Sequence, residues 1–109
     1  MCLSVGKSST ISALLQIYGE LGLVCTVCAP TGKAAARLQE LTGHEAKTIH
    51  RALEFSSETG SFARNITRPL ESSLVIVDEV SMMDVNLAQA ILQAVPTGAS
   101  LVLLGDVDQ

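Results

Sequence analysis

Three short stretches of this sequence are apolar almost throughout: Leu23–Cys28, Leu74–Val77 and Leu101–Leu104. A strand that carries apolar residues on both edges of its pleat must be covered on both faces. That is the signature of a parallel sheet between helical layers, not of a sheet with one wet face. The segments between these runs have helical spacing. Ile11, Leu14, Leu15 and Tyr18 predict a helix over Lys7–Tyr18, stopped by Gly19 and Gly22. Ala34, Leu38 and Leu41 predict a second over Lys33–Leu41, capped by Thr31 and ended by Gly43. A short helix is expected over Ile49–Phe55. Asp84 caps another, whose stripe is Ala88, Ile91, Leu92 and Val95 and which Pro96 and Gly98 end. Ser56–Ser73 is polar and turn-rich and reads as one long loop. The expected fold is α/β, a parallel sheet flanked by helices, in a single domain.

With 109 residues, 48% of them hydrophobic and only three aromatic, the chain folds around an aliphatic core. No apolar run reaches the roughly 18 residues a membrane helix needs. Lys7 interrupts the place of a secretory signal, so a cytoplasmic protein is expected. The net charge of −4 hides a division. Residues 1–68 hold all seven bases and five acids, whereas residues 69–109 hold six acids and no base. That pattern argues against general coating of nucleic acid, which favours a basic domain. It favours a site where phosphates meet bases and a divalent cation meets carboxylates. Cys25 and Cys28 form a C-x-x-C, but they sit in an expected strand, where residues three apart face opposite ways. They are read as core cysteines, not as a redox or zinc pair. Asn65-Ile66-Thr67 matches a glycosylation sequon only by chance.

In open parallel sheets, ligands lie beyond the carboxyl ends of the strands. Ala29-Pro30-Thr31, Asp78-Glu79 and Gly105-Asp106 fall at those ends. Gly6-Lys7-Ser8 opens the first helix. Backbone N–H groups there meet a phosphate, a lysine reaches its outer oxygens, and a hydroxyl ligates Mg²⁺. LVIVDEV then supplies an apolar strand ending in two carboxylates, Asp78 to hold a metal and Glu79 to activate water. Each motif alone is weak. Together, in this order, they read as a P-loop NTPase core that uses ATP and Mg²⁺.

GKSST, CAPTGKAAARLQELTG, AKTIHRALEF, VIVDEVSMMD and LVLLGDVDQ together resemble the motif series of RecD/TraA-type superfamily 1B DNA helicases. The resemblance covers essentially the whole chain and implies that residues 1–109 are part of the first RecA-like ATPase domain, from motif I to motif III. It implies that Gly6, Lys7, Ser8 and Ser9 bind the triphosphate, with Ser8 and Asp78 at Mg²⁺. Glu79 would activate the attacking water and Gln109 would sense the γ-phosphate. Asp106 would couple that site to DNA. Thr31, Gly32 and Lys33, together with Thr48, His50 and Arg51, would contact single-stranded DNA. The implied activity is that of an ATP-dependent 5′→3′ DNA helicase in recombination, repair or conjugation.

The chain departs from that pattern in three ways. The strand before the phosphate loop is missing, so the sheet is expected to be incomplete on that side. Met1, Cys2 and Ser4 replace loop residues that are usually glycine. The second RecA-like domain, with its arginine finger and much of the DNA track, is absent. An arginine finger contributes on the order of 10³–10⁵ in rate, so weak hydrolysis and no unwinding are expected of this chain alone. The alternative is a catalytically silent remnant that serves only as a packing module.

Overall fold

The computed structural model describes residues 8–105, and of Ser8 and Ser9 the backbone alone. In chain order the elements are α1 (Ser8–Glu20), β1 (Cys25–Ala29), α2 (Gly32–Thr42), β2 (Lys47–Thr48) and α3 (Ile49–Ala52). A hairpin of β3 (Phe55–Ser56) and β4 (Ser61–Phe62) follows. Then come β5 (Leu74–Val77), a 3₁₀ turn at Val80–Met82, α4 (Val85–Ala94) and β6 (Ser100–Leu103). Four strands form one parallel sheet in the order β2-β1-β5-β6.

Both faces of the sheet are covered, as the apolar strands require. On β5, Leu74 and Ile76 face one way and join Ile11 and Leu15 of α1, Leu38 of α2, Val27 and Val102. Val75 and Val77 face the other way and join Ile49 and Ala52 of α3, Ile91 and Ala94 of α4, Cys28 and Leu101. Burial of each large aliphatic side chain contributes roughly 1.5–3 kcal/mol. The sequence expectation of a two-sided parallel sheet holds.

The helix caps form as their residues dictate. Thr31 Oγ1 accepts from Ala34 N at 3.2 Å, and Gly43 closes α2 with φ +72°, a conformation glycine adopts without strain. Asp84 Oδ1 accepts from Leu87 N at 2.7 Å to start α4.

Several expectations are corrected. Strand β1 begins at Cys25, leaving Leu23 and Val24 exposed, because the sheet partner Leu74 pairs no earlier than Cys25. On α2 the buried residues are Ala35 and Leu38, and Leu41 is exposed. On α4 they are Ile91 and Ala94, and Leu92 faces solvent. The short helix ends at Ala52, and the expected long loop holds the β3–β4 hairpin.

Candidate nucleotide and nucleic-acid site

Strands β1, β5 and β6 lie side by side and parallel, so their carboxyl ends open on one edge of the sheet. Helix α1 is oriented toward that edge. Near its end, the Tyr18 hydroxyl donates to Ser100 Oγ (3.3 Å) at the start of β6. Near its beginning, Ile11 is buried in the cluster that holds Leu104, just past the end of β6. The helix therefore runs antiparallel to β6, with its first turn at the strand ends, where the positive end of the dipole favours an anion.

Asp78 and Glu79 follow β5 directly at this edge. Asp78 N donates to Cys28 O at 3.0 Å, which carries the β1–β5 ladder one residue past the strand. Asp78 Oδ1 accepts from Glu79 N at 2.8 Å, fixing the orientation of the carboxylate. Val80 N donates to Leu104 O at 3.0 Å, and Leu104 N to Val77 O at 2.8 Å. The acid pair is thus set between the ends of β1 and β6. Both side chains are half-buried.

A second group lies across β1. Thr31 caps α2 after β1, and Gly32 and Lys33 begin that helix, all three exposed. Thr48 pairs with Ala29 in the sheet, and its Oγ1 accepts from Arg51 N at 3.2 Å to cap α3. His50 and Arg51 are exposed on that short helix. The His50 ring meets Phe55 edge-on, with centroids 5.2 Å apart, and is tilted against Phe62 at 5.6 Å. The structure thus brings Thr31, Gly32, Lys33, Thr48, His50 and Arg51 to adjacent strand ends, beside the acid pair. Gly6, Lys7, Asp106 and Gln109 lie outside the described residues, as do the side chains of Ser8 and Ser9.

Two features had no counterpart in the sequence reading. Glu79 has a left-handed backbone, φ +57° and ψ +44°, which no local residue pattern announces. Glu54, also left-handed at φ +56°, gathers Arg64 (2.8 Å) and Arg68 (3.5 Å) at the base of the hairpin. For the hairpin a signal was present: Phe55 and Phe62 bracket Thr59-Gly60, a turn pair between two strand formers.

A family model described as an AAA domain matches residues 4–109. The chain belongs to the AAA domain family. This AAA domain is 48% identical over 104 residues to the ATP-dependent RecD2 DNA helicase of Deinococcus radiodurans, a match covering 95% of the chain and 14% of that protein. It is 35% identical over 128 aligned positions to the RecBCD enzyme subunit RecD of Mycolicibacterium smegmatis, covering 95% of the chain and 23% of that protein. Its fold resembles that of Bacteroides sp Pif1 in complex with ADP-AlF4, with a TM-score of 0.58, 23% identity, and coverage of 99% of this chain and 28% of that one. The AAA domain thus spans less than a quarter of the length of these two curated relatives. Membership makes it a nucleotide-binding domain with a RecA-like parallel sheet. Among the described residues, no helix is long and apolar enough to cross a membrane.

Proposed function

We propose that residues 1–109 are part of the ATP-binding and hydrolysing RecA-like domain of an ATP-dependent 5′→3′ DNA helicase, acting in recombination, repair or conjugation in the cytoplasm. The observation that carries this reading is the convergence of the α1 N-terminus with Asp78 and Glu79 at the carboxyl ends of β1, β5 and β6. Gly6, Lys7, Ser8 and Ser9 bind the triphosphate, with the Lys7 ammonium neutralising its outer oxygens. Asp78 and the Ser8 hydroxyl would hold Mg²⁺, which neutralises charge on the phosphates. The donor set fits that ion, since Mg²⁺ takes one or two carboxylates and completes its shell with phosphate oxygens and water. No cluster of three or more His, Cys, Asp or Glu residues lies among the described residues, and none is needed for such a site.

Glu79 takes a proton from water as its oxygen bonds to the γ-phosphorus and the bond to the ADP oxygen breaks. Gln109 senses the γ-phosphate, and Asp106 links the site to the DNA face. Thr31, Gly32, Lys33, Thr48, His50 and Arg51 hold the backbone of single-stranded DNA. Such contacts give affinity without sequence preference. A second RecA-like domain supplies the arginine finger and the closing motion.

Equilibrium binding of a fluorescent ATP analogue with Mg²⁺ tests the site. Binding that Lys7→Ala abolishes is expected. A folded chain that binds no analogue would favour the silent module, a reading that Met1, Cys2 and Ser4 in the loop support. In the complete protein, Glu79→Gln should lower DNA-stimulated hydrolysis on the order of 10²–10⁴-fold while leaving nucleotide affinity intact.

A further inference from the structure

Two residues other than glycine have positive φ among the described residues, Glu54 and Glu79. They differ in what offsets the conformation. Glu54 follows the end of α3, where a left-handed residue commonly closes a helix: its N–H donates to Arg51 O at 3.1 Å, and its carboxylate is held by Arg64 and Arg68. Glu79 is half-buried, and its carboxylate has no hydrogen bond or ion pair among the described residues. Left-handed backbone at such a residue persists only where its surroundings over-determine it. Those surroundings are visible on both sides. Upstream, Asp78 is tied to β1 through its N–H to Cys28 O, and Asp78 Oδ1 receives the Glu79 N–H. Downstream, Val80 N is tied to β6 through Leu104 O, and Met82 N donates to Glu79 O at 2.9 Å.

We infer that the ends of β1 and β6 clamp Glu79 in a strained left-handed backbone that presets its carboxylate for the reaction, at the expense of the stability of the domain. This rests on the role for Glu79 proposed above. The clamp is made of main-chain bonds at the strand ends and the Asp78 carboxylate, all within this chain, so the Glu79 carboxylate is placed before any nucleotide arrives. A residue selected for stability alone at this φ would be glycine or asparagine.

Comparative unfolding of the 109-residue chain tests this. Glu79→Gly relieves the strain, whereas Glu79→Ala keeps it. The folding equilibrium constant of the glycine variant should exceed that of the alanine variant several-fold, because the strain relieved outweighs the added freedom of the unfolded chain. Glu79→Asn, which also tolerates this conformation, should fall with the glycine variant. At Glu71, whose φ is not positive, the order should reverse, with Glu71→Ala the more stable. An alanine variant at position 79 as stable as the glycine variant, or more so, overturns the inference. Turnover by the complete protein is the second readout: Glu79→Gly should lower kcat and leave the nucleotide KM unchanged. A glycine variant that is both more stable and fully active would also overturn it. The proposed site fails separately, if Glu79→Gln keeps full turnover, and that result leaves the order of glycine and alanine untouched.

Discussion

Cys25 and Cys28 lie three positions apart on β1 and point into different clusters, Cys25 toward α1 and α2, Cys28 toward α3 and α4. Both thiols are free, so their spacing serves packing. Burial pushes the Cys28 thiol up to about 12, and that of Cys25 upward as well. Only the thiolate is a nucleophile. Alkylation of the native protein near pH 8, followed by mass spectrometry, should therefore leave Cys28 unmodified, with label appearing only in denaturant. Asn65 shows the same principle on the surface. Its Oδ1 accepts from Thr67 N (3.0 Å) and Arg68 N (3.2 Å), and its Nδ2 donates to Phe62 O (2.9 Å), so the sequon residue is a turn residue that holds the hairpin's exit.

The helices are amphipathic, but their spacing left the buried face of α4 uncertain by one position. Ile91 is 1% exposed and Leu92 48% exposed. Urea unfolding should separate them, with Ile91→Ala costing about 2–5 kcal/mol and Leu92→Ala within about 0.5 kcal/mol of the parent. The hairpin depends on charge as well as packing. The Arg64 hydrogen bond, assisted by the charges of Arg64 and Arg68, holds the Glu54 carboxyl below its ordinary value of 4.5. Arg64 also donates to Pro69 O at 3.0 Å, which ties the hairpin base to the chain leading into β5. A carboxyl whose folded value is depressed adds stability that is fully present above the ordinary value and is lost as pH falls through the folded one. Unfolding curves from about pH 5 to about pH 2 should show this loss, and Glu54→Gln should make the decline shallower. Glu54 is exposed, so salt should weaken the effect.

At the scale of the whole sheet, bases and acids gather at neighbouring strand ends. The bases Lys33 and Arg51 lie at the ends of β1 and β2, and the acids Asp78 and Glu79 at the end of β5, next to β1. One sheet edge thus carries, one strand apart, the bases proposed to meet the phosphates of a strand and the carboxylates proposed to meet a metal-bound nucleotide. If Lys33 contacts a DNA phosphate, Lys33→Ala should flatten the plot of log affinity against log salt for single-stranded DNA by about 0.7. The loss should be the same for any base sequence, since phosphate contacts carry none. An unchanged slope would remove Lys33 from the DNA face.

Residue patterning alone was enough to place the layers and the edge that carries the candidate site. Apolar strands such as Leu74–Val77 demand cover on both faces, and a parallel sheet collects its ligand residues at one set of ends. The caps at Thr31 and Asp84 were legible for the same reason, because they depend on side chains within one turn of their targets. Tertiary structure alone decided which flank of a helix is buried, as at Leu41 and Leu92, since a shift of one position along a helix turns its face by about 100°. It alone decided that β1 starts at Cys25, because a strand exists only as far as its partner runs. And it alone set Glu79 in a left-handed backbone, through main-chain bonds to β1 and β6 from residues distant in the chain.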